Sequence, residues 1–359
     1  MRKLATIRKI SAIRPISGAD RIVVAQVDGW ECIVKKEEFS EGELIVYIEV
    51  DSILPERPEF EFMRDRKFRV RTIRLRGQVS QGLVLPLSVL PHGTKLQEGE
   101  DVTQLLGIKK YDPQFSQEET LELPAKHETN AFKRFLLKFR WYRALSGADT
   151  EDTKFPKWIA KTDEERIQNC VRLFTRCRDE QTPFLVTEKI DGQSATYYLE
   201  RKGWGRYSFG VCSRNLRLPQ SNDTSYWKIA HQYKIEKVLR KLIGKKRYVV
   251  LQGEIIGRNI QKNKYQVNGY DFYAFNLIFP DRKCNTREIA QILEPHGIKT
   301  VPYLETITLP ESIGELVNHA AGKSRLLETQ EREGLVLRSN DCSISFKVIN
   351  PEFLLSHGE

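Results

Sequence analysis

A lysine set between two apolar, strand-like runs constrains this chain more than any other feature. Phe184-Leu185-Val186 reads as the end of a buried strand and Ala195-Thr196-Tyr197-Tyr198-Leu199 as the start of the next. Between them lies Thr187-Glu188-Lys189-Ile190-Asp191-Gly192, a charged segment closed by a glycine. The chain must change direction there, which puts Lys189 and Asp191 at the floor of a cleft. Taken singly, a Lys–Asp pair before a turn describes an ordinary solvated hairpin. The rest of the sequence has to decide between that and a reactive lysine.

The 359 residues are enough for two domains, each with its own core. A formal net charge of +10 points to a polyanionic partner, without separating nucleic acid from a membrane surface. No apolar run reaches spanning length, and Met1-Arg2-Lys3-Leu4-Ala5-Thr6 carries no signal-peptide core. Cys32, Cys170, Cys177, Cys212, Cys284 and Cys342 lack Cys-x-x-Cys spacing, so neither a zinc site nor a disulfide framework is indicated. The expectation is a soluble intracellular protein, cytoplasmic or nuclear, with no membrane partner.

Residues 1–108 alternate like a small β-domain. Ile22–Val27 runs into the turn Asp28-Gly29, Trp30–Val34 follows, and Leu44–Val50 reads as a buried strand. Arg69–Arg76 alternates basic and apolar residues before breaking at Gly77. Short strands with glycine turns predict a closed barrel of the OB type. Arg64, Arg66, Lys67, Arg69, Arg71, Arg74 and Arg76 crowd one stretch with only Asp65 opposing them. That density fits phosphate contact in a groove, with a solvated edge strand as the plainer reading.

Residues 109–150 read as a polar linker, Tyr111 to Asn130, and then a basic helix over Ala131 to Leu145. The second domain, 151–359, mixes strands and helices without strict alternation and is therefore α+β. Thr162 with Glu165 predicts a helix start with a capping box, and Asn285 with Glu288 predicts another, closed by Gly297. Tyr226 to Ile243 predicts one amphipathic helix ended by Gly244. The predicted strands are Tyr207–Cys212, Tyr248–Gln252, Asp271–Phe279, Gly334–Leu337 and Ser343–Ile349.

Further stretches add charged residues at the ends of these strands: Ser213-Arg214-Asn215, Gly253-Glu254, Asp271-Phe272-Tyr273-Ala274-Phe275-Asn276, Glu333-Gly334 and Ser345-Phe346-Lys347. In this order they resemble the motifs of the covalent nucleotidyltransferases, the polynucleotide ligases and mRNA capping enzymes. Gly253-Glu254, Asn259-Ile260-Gln261-Lys262 and Asp271 to Phe275 look like the central segment of ATP-dependent RNA ligases. Asp28-Gly29-Trp30, Val46 to Asp51 and Phe155-Pro156-Lys157-Trp158-Ile159, with Lys161 to Arg166, resemble the Deinococcus-type branch. That branch carries an N-terminal OB domain before its adenylation domain, and the likeness covers nearly the whole chain.

The resemblance implies a role for each site residue. Lys189 would be the nucleophile that takes AMP from ATP. A free lysine titrates near pH ~10.4, so this one needs positive charge nearby or a metal on the phosphate. Asp191, Glu254 and Glu333 would hold Mg2+ or Mn2+, with Glu254 alternatively on the ribose. Lys347 would contact the α-phosphate, and Arg214 the phosphate or ribose. Phe275 would stack on adenine, Glu188 would read the adenine edge, and Arg166 would reach the outer phosphates. Two positions depart from the pattern. Ser345 stands where many relatives have a second lysine, which leaves Arg338 as a helper, and Asn276 replaces an acid.

The implied activity is ATP-dependent, phosphoric-ester-forming RNA ligation at 5′-phosphate/3′-hydroxyl nicks. The implied substrate is a nicked duplex or another RNA-containing nucleic acid, with RNA on the 3′-hydroxyl side, and the enzyme would act as a monomer. A GTP-dependent capping guanylyltransferase or a DNA ligase normally carries its OB domain second, and only Val348 to Glu359 follow Lys347 here. A non-catalytic RNA-binding protein on the same fold is the remaining alternative.

Overall fold

The computed structural model describes residues 3–95, 97–111, 153–203 and 205–358. The predicted basic helix, and the linker beyond Tyr111, lie outside the described residues.

The N-terminal strands are β1 (Ala5–Pro15), β2 (Ile22–Val27), β3 (Trp30–Lys35), β4 (Leu44–Ile48), β5 (Ser52–Ile53), β6 (Thr72–Leu75), β7 (Gln78–Gln81), β8 (Leu83–Pro86) and β9 (Lys109–Lys110). Five form a sheet in the order β3-β2-β1-β4-β8. The first half of β1 pairs with β4 and the second half with β2, and the register slips between Ile10 and Ala12. Such a bulge bends a strand, so one long β1 can serve both sides of a curled sheet. The fold is an OB half-barrel rather than the closed barrel expected. The ladder stops at β3 and β8, and the edge of β3 is met instead by side chains of β7: Ser80 Oγ accepts from Ile33 N–H at 2.9 Å.

The basic strand is shorter than its alternation predicted. Residues Pro58–Arg66 form a 3-10 helix, and only Thr72–Leu75 is strand. Several of its charges also have internal partners. Arg64 pairs with Glu61, Arg74 with Glu352, and buried Arg69 with Asp51 beneath the ring of Tyr111. Arg66, Lys67, Arg71 and Arg76 remain on the exposed face.

The second unit adds β10 (Phe184–Lys189), β11 (Gln193–Arg201), β12 (Tyr207–Cys212), β13 (Arg217–Leu218), β14 (Tyr248–Gly257), β15 (Tyr270–Ile278), β16 (Lys299–Thr300), β17 (Tyr303–Ile307), β18 (Gly334–Ser339) and β19 (Ser345–Ile349). They make two sheets, β17-β10-β18-β19 and β13-β12-β11-β14-β15-β16. β10 and β11, which the sequence read as neighbours across a turn, belong to different sheets. Ile190 to Gly192 is the crossing between them, so the pair is no hairpin.

Helices cover one face of the larger sheet through a core that includes Tyr197, Leu251, Phe272 and Leu239. The expected helix over Tyr226 to Ile243 is two, Ser225–Gln232 and Ile235–Ile243. They are separated at Lys234, whose φ of 49° is left-handed. The Asn285–Glu288 capping box is present. The one expected at Thr162 is absent, because Thr162 Oγ1 bonds Ser194 Oγ at 2.9 Å and Glu165 turns to Asn169. The helix there begins only at Val171.

The two units meet at the turn Asp28-Gly29-Trp30. Gly29 N–H donates to Gln168 C=O at 3.0 Å, and a Cβ on Gly29 would lie 2.7 Å from Gln168 Cα. Trp30 Nε1–H donates to Asn169 Oδ1 at 2.6 Å, and Asn169 donates in turn to Glu49. A glycine is needed there for close approach between units.

Candidate active site

Lys189 is the last residue of β10 and faces Gly334 of β18, so Glu333 arrives directly beside it. Lys189 Nζ lies 2.6 Å from each oxygen of Glu333. The crossing then lays Gly192 against β14. A Cβ there would sit 2.4 Å from Ile255 C=O and 2.9 Å from Glu254 Cγ. The glycine of the motif is thus a contact requirement that brings the turn onto the strand carrying Glu254. Gly253 serves the same strand from behind, where a Cβ would meet the Phe272 ring at 2.3 Å.

These elements enclose a cleft of about 400 Å³. Every predicted site residue lines it: Glu188, Lys189, Asp191, Arg166, Arg214, Glu254, Phe275, Glu333, Arg338 and Lys347. So do Asp51, Arg69, Lys110 and Tyr111 from the N-terminal unit, none of which had been assigned to the nucleotide site from sequence.

The charge balance around Lys189 differs from expectation. Burial alone would lower its amine, but Glu333, Glu254 and Asp191 outweigh burial and hold it above the ordinary lysine value. Acids, not cations, surround the nucleophile, so it is protonated when the cleft is empty of ligand. Asp191 is matched by Lys264 in a buried ion pair. Among the described residues Glu254 has no ion pair of its own. Burial first, then the charges of Glu333 and Asp191, push its carboxyl up to about 8 against the pull of Lys189 and Arg214.

A surplus acid of this kind makes a test. Its folded-state value lies above its unfolded one, so the proton it holds stabilises the fold fully below pH ~4.5. That contribution is lost as pH rises toward about 8. Glu254→Gln cannot ionise and escapes the loss. In urea unfolding with chelator present, wild type is expected to lose on the order of a few kcal/mol relative to Glu254→Gln between pH 5 and 8. Parallel pH profiles for the two proteins would contradict this assignment.

Asp191, Glu254 and Glu333 are all oxygen donors of the kind a hard divalent cation takes, and the raised carboxyl of Glu254 is the one such a cation would relieve most. Among the described residues no three acidic, histidine or cysteine side chains converge as a ready-made cage.

Cations line the same cleft, gathered on Asp163. Arg214 Nη2 donates to Asp163 Oδ2 at 2.6 Å, and Lys347 Nζ lies 3.8 Å from Asp163 Oδ1. Burial opposes ionisation of Asp163, yet Arg214, Lys347 and Lys110 hold its carboxyl well below the usual range. Asp163 was visible in the sequence only as part of a polar box. Arg166 is buried, with Nη2 3.3 Å from Asp51 and its guanidinium 5.6 Å from the centre of the Trp30 ring.

Arg338 is committed elsewhere than the phosphate helper's role expected of it. Its Nη1 donates to Phe275 C=O at 2.9 Å and its Nη2 to Glu164 at 3.1 Å. Glu164 also accepts from Ser345 Oγ, so the position of the missing lysine holds a hydrogen-bonded hydroxyl against an acid. Asn276 is buried and donates to Gln252 Oε1 at 2.8 Å, while its neighbour Phe275 lines the cleft. The register slips beside Phe275, so Asn276 shares the cleft-bearing face of the sheet with Gln252 and Glu254, and its amide is taken up by Gln252 rather than lining the cleft.

Glu188 is fixed by two donors, Ser324 Oγ and Arg325 N–H, the latter at 2.7 Å. Burial raises its carboxyl above the usual value despite both bonds. Each oxygen keeps a second lone pair, so the group remains an acceptor held in one orientation.

Comparison with known proteins follows the same lines. The OB-fold domain family matches residues 4–87, and the RNA ligase family matches residues 182–349. No curated protein matches the chain. Among solved structures, the Naegleria gruberi RNA ligase with PPi is 33% identical, with a TM-score of 0.81 over 100% of this chain and 99% of that one. A lysine-to-alanine mutant of that ligase with ATP and Mn is 34% identical, with a TM-score of 0.80 over 98% of each chain. A glutamate-to-alanine mutant with AMP and Mn is 32% identical, with a TM-score of 0.79 over 98% of each. A likeness of that identity spanning both units from end to end is one of family as well as fold, and this chain belongs to the RNA ligases that carry an N-terminal OB-fold domain.

Proposed function

We propose that this protein seals 5′-phosphate/3′-hydroxyl nicks in duplexes with RNA on the 3′-hydroxyl side, using ATP through a lysyl-AMP intermediate. The observation that carries the proposal is Lys189 at the end of β10, 2.6 Å from Glu333, in a cleft that residues of both units line. The neighbouring ligase structures with ATP and Mn, and with AMP and Mn, support ATP and Mg2+ or Mn2+ as the cofactors.

In the first step the Lys189 amine, having given its proton to solvent, attacks the α-phosphorus of ATP. A P–N bond forms, the bond to the bridging oxygen breaks, and pyrophosphate leaves. Asp191, Glu254 and Glu333 would hold the divalent cation, which supplies charge neutralisation at the α-phosphate. Lys347 and Arg214 exchange Asp163 for phosphate oxygens, and Arg166 serves the outer phosphates from the OB side. Phe275 stacks on the adenine, with Arg338 fixing its backbone, and Glu188 accepts from the adenine edge. Next, AMP passes to the 5′-phosphate. The 3′-hydroxyl then displaces AMP and closes the strand, both by in-line transfer.

Residues 1–108 would bind the nucleic acid, 109–150 join the units, and 151–359 carry out adenylation. Arg66, Lys67, Arg71 and Arg76 are the exposed charges available for phosphate contact.

Labelled ATP and labelled GTP, each with magnesium, test the reading directly. A covalent tag from ATP alone is expected, followed by sealing across a matrix of RNA and DNA nick strands that favours RNA at the 3′-hydroxyl. A tag from GTP alone would make the protein a capping enzyme, and nucleic-acid binding with no tag would make it a non-catalytic binder.

A further inference from the structure

Asp191 is gripped from two sides by consecutive residues to which no role has yet been given. Its carboxylate pairs with Lys264, and both side chains are nearly buried, at 7% and 10% exposed. Its backbone N–H donates to Tyr265 Oη at 2.9 Å. The Tyr265 ring packs in the same apolar cluster as Ile190, Ile256 and Phe275, linking the crossing to the proposed base platform.

The segment that presents these residues is built at a conformational cost. Asn259, Gln261, Lys262, Asn263 and Gln266 all have φ between 45° and 63°, the left-handed region that side chains disfavour. Asn263 locks it: its amide donates to Val267 C=O at 3.1 Å and accepts from Val267 N–H at 3.0 Å. Backbone strain held by a local lock is found where a side chain must be placed accurately.

Lys264 is also supported from outside. Its Nζ lies 4.5 Å from the centre of the Phe353 ring, on the C-terminal helix Pro351–His357. A cation between a carboxylate and an aromatic face has little freedom to move. The same helix reaches the N-terminal unit through the Glu352–Arg74 pair.

We propose that Lys264 and Tyr265 are positioning residues that fix Asp191 beside the nucleophile, with the C-terminal helix holding Lys264 in place. This rests on the ligase reading. Outer partners of a site carboxylate affect the chemistry only through the group they orient.

Lys264→Met in the full-length chain tests it. Single-turnover adenylation at saturating ATP is expected to slow by about 10–100-fold. Lys264→Arg is expected to recover part of the loss. In a crystal structure of the unliganded Lys264→Met protein, the Asp191 carboxylate is expected to have left its place beside Lys189. Labelling within about threefold of wild type, or a slowed variant with Asp191 unmoved, overturns the proposal. If Lys264→Met does not fold, Tyr265→Phe takes its place. It removes only the hydroxyl, and an unchanged rate in that variant overturns the proposal. A wild-type protein that takes no label would sink the ligase reading, while the position of Asp191 in the crystals would still decide this one.

Discussion

Lys189→Ala is expected to carry no covalent label after incubation with radiolabelled ATP and magnesium, while still binding RNA nearly as well as wild type. Lys189 ends β10 where the chain leaves one sheet for the other, and the β10–β18 register sets Gly334 opposite it and Glu333 beside it, a placement the alanine variant cannot reproduce. Lys189→Arg is expected to fail as well. A guanidinium stays protonated at any usable pH and offers no free electron pair. RNA binding survives because one charge is lost from a chain with a net +10. The fold survives because the Lys189 side chain is 26% exposed, so Glu333 can recruit water. Label retained on the Lys189→Ala protein would reject the nucleophile and the proposed mechanism with it.

The second large effect lies at the joint between the two units. Trp30→Ala is expected to destabilise the protein by about 3–5 kcal/mol, the cost of emptying a fully buried tryptophan site. Trp30 does three things at once. It fills the core with Tyr47 and Val27, its indole N–H holds Asn169, and its ring lies under the Arg166 guanidinium. Its loss therefore loosens the joint between the units and is expected to slow adenylation as well. Trp30→Phe keeps an apolar ring but drops the indole donor, so it is expected to cost only about 1 kcal/mol from that bond plus a smaller packing loss. Urea unfolding followed by circular dichroism measures both. A Trp30→Ala protein within about 1 kcal/mol of wild type would mean the joint is held elsewhere.

Trp30 also shows where sequence reasoning stopped. Asp28-Gly29-Trp30 reads as a hairpin turn, and it is one. That this turn docks on residues 166–169 of a distant segment has no local signature. The helix break at Lys234 was hidden for a related reason. The apolar spacing of Tyr226 to Ile243 continues through it, and only tertiary contacts, such as Tyr233 hydroxyl to Asp271, select the break. The basic run at Arg64–Arg76 was legible as charge, but its neutralisation by Glu61, Asp51 and Glu352 was not.

The sequence by itself determined the parts: strand ends carrying Lys189, Glu254, Glu333 and Lys347, glycines where backbones must touch, and two units in a recognisable order. These are legible because burial alternates with fixed period and motif order is written along one dimension. Tertiary structure alone decided the electrostatics. It matched Glu333 to Lys189 across 144 residues and Asp191 to Lys264 across 73, and it buried Glu254 among acids that raise its carboxyl more than Lys189 and Arg214 lower it. It also held Arg214 and Lys347 on Asp163 and closed the cleft with Asp51, Arg69 and Lys110. Coulomb energy depends on distance in space and on the depth of burial, and neither can be read from position along the chain.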